Sequence, residues 1–272
     1  MDLYDKLSSA EPFFLIAGPC VVEDHDTMLR IAEHLAELAF GADIPLVFKA
    51  SYRKANRSSG SSPSGPGLDA GLAMLAMLKE TFGFPVLSDV HESDEVADVA
   101  EVCDILQIPA FLCRQTGLIK AAARSGRIVN IKKGQFMAPE DMASAAEKAS
   151  SEGNRQVILT ERGTSFGYHD LVVDFRGFPI MAATGYPVVY DVTHSLQKPS
   201  AGTVSGGDPR FVAMMARAAI ATRMVRGLFI ETHPQPGKAL SDAASMLPLG
   251  ELKALVESCI EISGRKHDLL QT

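Results

Sequence analysis

Short unbroken apolar runs recur along the whole chain, and amphipathic stretches separate them. The runs cover 13–17, 46–49, 86–89, 105–108, 128–131, 157–160, 188–192 and 228–231, and most are rich in Val, Ile, Leu and Phe. They show little polar alternation, which is the pattern of strands buried on both faces, as in a parallel sheet. Between them, 27–38 places Met28, Ile31, Leu35 and Leu38 on one helical face, and 68–81 does the same with Leu72, Leu75 and Leu78. Shorter helical patterns cover 95–102 and 118–125, and 139–150 starts with Pro139, a residue suited to a first helical position. The last two helices span 209–226 and 249–263. Between 157 and 188 the helical signal is poor and leaves room for one short helix.

Eight such strands alternating with helices predict an α/β fold, a (β/α)8 TIM barrel occupying 1–272 as one catalytic domain. A doubly wound open sheet is the rival, and the number of strands for this length favours the barrel. No linker, low-complexity tract or charge block marks a boundary. The loop richest in Gly, Ser and Pro is 58–67, after the second strand. In a barrel it lies on the face where active sites are built.

Composition narrows the function classes. The 272 residues are 46% hydrophobic and 22% charged, which excludes intrinsic disorder. A net charge of −7 argues against nucleic acid as a partner. It still permits a small anionic substrate at a local basic cluster. No apolar run approaches the roughly 20 residues that span a bilayer, and the first residues lack a signal-peptide pattern. Cys20, Cys103, Cys113 and Cys259 form no CxxC pair and no disulfide framework, so the expected compartment is the cytoplasm. Cys103, Cys113 and Cys259 read as core thiols.

Every predicted strand delivers reactive side chains at its C-terminal end. One group is basic: Lys49, Lys54, Arg57, Lys132, Lys133 and Arg162. Several cations at one mouth suit phosphate and carboxylate ligands. The bland alternative is solvated rim charge paired with Asp or Glu. The second group is Cys20, His194, Glu231 and Asp242. In a closed barrel the strands carrying the first three are neighbours, and thiolate, imidazole and carboxylates suit a divalent first-row metal. Asp191 and His233 are credible substitutes in that set. No GxGxxG follows a strand, and no Walker or GxSxG motif is present.

The runs IAGPC (16–20), FKASYRKANRSS (48–59), QIPAFLCRQT (107–116), NIKKGQF (130–136), LTERGTSFGY (159–168), VVDFR (172–176), YDVTHS (190–195) and IETHPQPGKALSDA (230–243) stand in order along the chain. Together they resemble the 3-deoxy-D-manno-octulosonate 8-phosphate synthases, with KANRSS the most specific. The related heptulosonate-phosphate synthases usually carry a KPRTS-type motif there. The resemblance implies condensation of phosphoenolpyruvate with D-arabinose 5-phosphate, releasing phosphate, for the inner core of lipopolysaccharide. It assigns Lys54, Lys132 and Arg162 to phosphoenolpyruvate, with Lys49 nearby. It assigns Asn56, Arg57 and Ser58 to the aldose phosphate, and Asp89, His91, Gln107 and Phe111 to the rest of the pocket. Cysteine at position 20 implies the metal-dependent class, with Cys20, His194, Glu231 and Asp242 as ligands for zinc, iron, manganese or cobalt. A homotetramer is also implied.

One departure stands out. The family commonly carries an HSxRGPG-like stretch after KANRSS, whereas Ser61 and Ser64 replace its His and Arg here. Three alternatives remain at this stage. Erythrose 4-phosphate could be the acceptor, Lys132 beside Lys133 could form a Schiff base, or the chain could bind a sugar phosphate without turnover. Asp89, His91 and Asp242 are the candidate proton carriers, with Lys54, Lys132, Asp89 and His91 the candidate catalytic set.

Overall fold

The computed structural model describes residues 1–55, 64–198 and 206–264. Asn56, Arg57, Ser58 and Ser61 therefore lie outside the described residues. The barrel strands are β1 (Phe14–Gly18), β2 (Leu46–Lys49), β3 (Val86–Asp89), β4 (Ile105–Ile108), β5 (Ile128–Lys132), β6 (Val157–Glu161), β7 (Val188–Asp191) and β8 (Gly227–His233). Each pairs in parallel with the next, and β8 closes on β1 with Phe14 opposite Gly227 and Gly18 opposite Glu231. Closure excludes the open-sheet alternative and gives the (β/α)8 architecture.

The helices are α1 (Leu3–Ser8), α2 (His25–Ala42), α3 (Leu68–Phe82), α4 (Val96–Val102), α5 (Thr116–Arg124), α6 (Met142–Ser150), α7 (Gly177–Ala182), α8 (Val192–Ser195), α9 (Val212–Ala221) and α10 (Leu252–Gly264). Local chemistry fixes their ends. The Asp24 carboxylate caps α2 by accepting from Thr27 N at 3.0 Å, and Asp43 ends it in the left-handed region at φ 50°. None of the described helices is long and apolar enough to cross a membrane.

Several elements differ from the sequence expectation. Helix α1 was not predicted; its Leu7 packs on the lower barrel interior, with Leu3 and Tyr4 beside it. The helix expected over 209–226 is a 3-10 turn followed by α9, which stops at Ala221. Thr222 Oγ bonds back to Ala219 O at 2.6 Å, and Arg223 turns left-handed at φ 58°. After β6 a two-stranded hairpin, Thr164–Gly167 with Asp170–Val172, precedes the short α7.

The strand period of two builds the site directly. Ile16, Val47, Leu87, Ile105, Ile128, Ile158, Val189 and Phe229 share one buried cluster, the lower interior of the barrel. Side chains two residues further on point to the same side. On β2 to β8 those positions hold Lys49, Asp89, Gln107, Asn130, Thr160, Asp191 and Glu231, all buried. An apolar floor thus carries a polar layer, and the alternate strand residues pack outward against the helices.

Candidate active site

The two groups separated in the sequence interlock in space. Lys49 reaches from β2 past β1 to β8, where its Nζ lies 2.5 Å from Glu231 Oε1 and donates to Cys20 O at 2.8 Å. Lys54 Nζ stands 3.6 Å from Asp242 Oδ2. Lys132 Nζ lies 2.5 Å from Asp191 Oδ2 and 4.0 Å from the centroid of the Phe229 ring. Arg162 donates to Gln197 Oε1 at 3.1 Å, and Gln197 in turn donates to Asp242 Oδ1 at 2.8 Å. The bland reading of solvated rim charge fails, because Lys49, Lys132 and Arg162 are all buried.

Burial and charge work against each other in this layer. Burial pulls the Lys54 ammonium down, but Cys20, Asp242, Glu231 and Asp89 outweigh it and hold Lys54 well above its ordinary value. Burial pushes the Asp89 carboxyl up, and Lys49, Lys54 and His91 reverse this and hold it far below the usual carboxylate range. Asp242 is held low in the same way, chiefly by Lys54 and His194 against burial. Asp89 and Asp242 are therefore ionised, and Lys54 facing them stays charged.

The candidate metal ligands converge. Atoms of Cys20, Glu231 and Asp242 all lie within 4.8 Å of one another. Cys20 Sγ donates to Asp242 Oδ2 at 2.7 Å. His194 Nε2 sits beside them, 3.7 Å from Glu231 Oε1 and 3.8 Å from Asp242 Oδ2. Glu231 Oε2 is buried with no hydrogen-bond partner among the described residues. Burial first, then the Asp242 and Glu231 charges, push the Cys20 thiol well above its ordinary value. Such an acceptor-rich cluster with one orphaned carboxylate oxygen fits a cation, and a mixed sulfur, nitrogen and oxygen set suits a divalent first-row metal. The two proposed substitutes do other work. Asp191 binds Lys132 and His194, and His233 Nε2 faces Glu23 Oε2 at 3.4 Å.

A relay of buried side chains lines the opposite wall. Ser51 donates to Asp89, Gln107 donates to Asp89 Oδ1 at 2.8 Å, Asn130 donates to Gln107 at 2.8 Å and Thr160 donates to Asn130 at 2.6 Å. The last three bonds each join one strand to its neighbour. The relay fixes the direction of the Asp89 and Gln107 side chains, since buried polar groups must be satisfied. His91 Nδ1 meets Tyr52 OH at 3.2 Å, and Tyr52 donates to Glu95 at 2.6 Å. Burial pulls the His91 imidazole below its ordinary value against the Asp89 charge. Phe111 is 56% exposed at the rim of this wall.

Lys133 departs from the predicted basic mouth. It is wholly buried and turned outward, donating to Thr164 Oγ at 2.9 Å and Met137 O at 3.2 Å, with Glu161 Oε1 at 3.4 Å. Lys132 Nζ lies against Asp191 while Lys133 turns to the other side of the strand, so the neighbouring-amine argument for a Schiff base has no geometric support. The sequence reading also missed Gln197, which links Arg162 to Asp242, and Phe229 under Lys132. Phe229 carries a signal once the strand parity is known, whereas Gln197, outside the barrel strands, carries none.

Comparison with known proteins identifies the family. The model of the DAHP synthetase I family matches residues 8–266. A protein of Trichlorobacter lovleyi is 52% identical over 253 residues, covering 93% of each chain. One of Geotalea uraniireducens is 54% identical over 253 residues, again 93% of each. One of Magnetococcus marinus is 54% identical over 247 residues, 90% of this chain and 86% of that relative. All three are named 2-dehydro-3-deoxyphosphooctonate aldolase. The chain belongs to the DAHP synthetase I family, alongside relatives that carry this name.

Proposed function

We propose that this chain condenses phosphoenolpyruvate with D-arabinose 5-phosphate and water, giving 3-deoxy-D-manno-octulosonate 8-phosphate and inorganic phosphate for the lipopolysaccharide inner core. The observation that carries the reading is the layer of cations, buried Lys49, Lys132 and Arg162 with partly buried Lys54, interlocked with the Cys20, His194, Glu231 and Asp242 set. Two phosphorylated substrates must approach within about 3–3.5 Å for a bond to form, and paired cations offset their repulsion.

Lys54, Lys132 and Arg162 hold the phosphate and carboxylate of phosphoenolpyruvate. Arg162 Nη1 is buried without a partner among the described residues and is free to bind an anion. Asn56, Arg57 and Ser58 hold the aldose phosphate, while Asp89, His91, Gln107 and Phe111 shape the remaining pocket. The methylene carbon of phosphoenolpyruvate attacks the aldehyde carbon and forms the new carbon–carbon bond. The aldehyde oxygen becomes an alkoxide and takes up a proton that the adding water gives up. Water adds to the former enol carbon, and the resulting hemiketal phosphate collapses by cleavage of its carbon–oxygen bond. The proton from the adding water goes by way of His91, an imidazole whose charged form burial disfavours, while Asp89 stays ionised beside it, and the hydroxyl proton of the hemiketal leaves with the phosphate. Lys54, kept protonated by its acidic neighbours, neutralises charge that develops at the reacting carbons.

Cys20, His194, Glu231 and Asp242 hold a divalent cation, with zinc, iron, manganese and cobalt all compatible with the donors. When bound, it supplies polarisation of the aldehyde, a more acidic water or orientation of the substrate. The chain acts as a homotetramer in the cytoplasm. Exposed Phe136, Phe166 and Tyr168 on the loops after β5 and β6 support association, and the free, buried cysteines support a reducing compartment.

Phosphoenolpyruvate carrying oxygen-18 in the bridging position tests the bond that breaks. The label is expected in the released phosphate. Label retained in the octulosonate would contradict carbon–oxygen cleavage.

A further inference from the structure

Asp191 serves neither as a rim charge nor as a member of the converging Cys20 cluster. It ends β7 wholly buried, and its carboxylate has three partners. Lys132 Nζ lies at 2.5 Å, His194 Nδ1 at 2.9 Å and His194 N at 2.9 Å. The last bond makes Asp191 the cap of α8, the short turn that carries His194. Nδ1 faces the Asp191 carboxylate at 2.9 Å and, farther off, Lys132 Nζ at 3.4 Å; the carboxylate accepts only, and as the closer partner it favours the tautomer with the proton on Nδ1. The remaining ring nitrogen, Nε2, is the one that faces Glu231 and Asp242. Phe229 backs both groups, 4.0 Å from Lys132 Nζ and 5.8 Å from the His194 ring centroid.

The geometry points to Asp191 as a positioning residue that holds the phosphoenolpyruvate lysine and the metal-site histidine with one carboxylate. The inference rests on the function proposed above and deepens it. One side chain sets the direction of Lys132 from β5 and the tautomer of His194 from α8. Carboxylates that orient a ligating imidazole are worth about 10–100-fold in metal affinity. Asp191 extends that role to the substrate side. A change there moves metal binding and phosphoenolpyruvate binding together, while the aldose phosphate, assigned to Asn56, Arg57 and Ser58, is spared.

The test is Asp191→Asn in the full chain. Asn is an equally good cap, so α8 keeps its N-terminal bond while the charge is lost. Metal-stripped protein is titrated with Co2+, followed by its ligand-field and thiolate-to-cobalt absorption bands. The expected result is Co2+ affinity about 10–100-fold weaker than wild type. The KM for phosphoenolpyruvate rises several-fold, and that for arabinose 5-phosphate does not. Asp191→Glu, which restores the charge, recovers Co2+ affinity relative to Asn.

Unchanged Co2+ affinity in a folded Asp191→Asn variant would overturn the role, as would equal rises in both KM values. Wild type that binds Co2+ and turns over normally, with an indifferent variant, sinks this inference and leaves the proposed function standing. Wild type that takes up no Co2+ sinks the metal reading and the inference together. A measurement needing no variant is nitrogen-15 NMR of labelled histidine in the Zn2+-loaded protein. The His194 Nε2 signal is expected to move on metal addition while Nδ1 keeps its proton, and the reverse pattern would overturn the assignment.

Discussion

Replacing Lys49 by Met probes the most deeply buried ion pair of the site. Lys49 is 1% exposed and Glu231 0%, and their charged atoms are 2.5 Å apart. With an effective dielectric constant near 20, Coulomb attraction at that separation is about 7 kcal/mol, much of it offset by desolvation. Met fills a similar volume but leaves the Glu231 carboxylate without its main counter-ion. Breaking a buried pair from one side costs about 3–5 kcal/mol, against at most about 1 kcal/mol for an exposed pair. Urea unfolding of metal-free protein at pH 7 is the assay, so that no bound cation compensates for the lost lysine.

The pH dependence of that penalty has a definite sign. Burial pushes the Glu231 carboxyl up, but Lys49 above all, then His194 and Lys54, hold it below its ordinary value. In the wild type the contribution of Glu231 is fully present above its unfolded value of about 4.3 and is lost as pH falls through the lower folded value. Without Lys49, burial acts against weaker opposition, and protonation relieves the uncompensated charge. The penalty therefore shrinks as pH falls from 7 toward 4. A loss below about 1 kcal/mol, or a penalty indifferent to pH, would refute the description of Lys49 and Glu231 as a desolvated pair.

Other changes test separate parts of the site. Cys20→Asn removes the thiolate donor and is expected to abolish Co2+ or Zn2+ uptake, read by metal analysis after dialysis; wild-type metal content would remove Cys20 from the ligand set. Arg57→Ala is expected to raise the KM for arabinose 5-phosphate at least tenfold more than that for phosphoenolpyruvate, about 1.4 kcal/mol of selective binding; equal effects would dissolve the division between the two substrate ends. Gly18→Ala would place a Cβ 2.1 Å from Lys49 O at a backbone φ of 153°. Overpacking of this kind costs about 1–3 kcal/mol or more, so the thermal midpoint is expected to fall by several degrees, and an unchanged midpoint would mean that β1 and β2 part easily.

Much of this was legible before any coordinates. Eight apolar runs located the eight barrel strands to within a few residues, because strands buried on both faces have no polar positions to blur them. The ends of those runs supplied Lys49, Lys132, Asp191 and Glu231. What the runs concealed was direction. Lys132 and Lys133 look equivalent as neighbours, yet Lys132 shares parity with Ile128 and Asn130 and faces inward, while Lys133 faces Thr164. The same parity places Asp89 over Leu87 and Gln107 over Ile105, and so the relay between them could have been anticipated. Contacts between distant loops could not. Gln197 joins Arg162 to Asp242 across 35 and 45 residues of sequence, and nothing local in the chain encodes that meeting.

The most direct test of the central claim is inorganic phosphate release from phosphoenolpyruvate, with arabinose 5-phosphate or erythrose 4-phosphate as the sole aldose in metal-supplemented protein. Release with the pentose alone is the predicted result. It would show that a chain with Ser61 and Ser64 in its β2 loop still runs the condensation. Release with the tetrose alone, or saturable binding of arabinose 5-phosphate with no release, would contradict it.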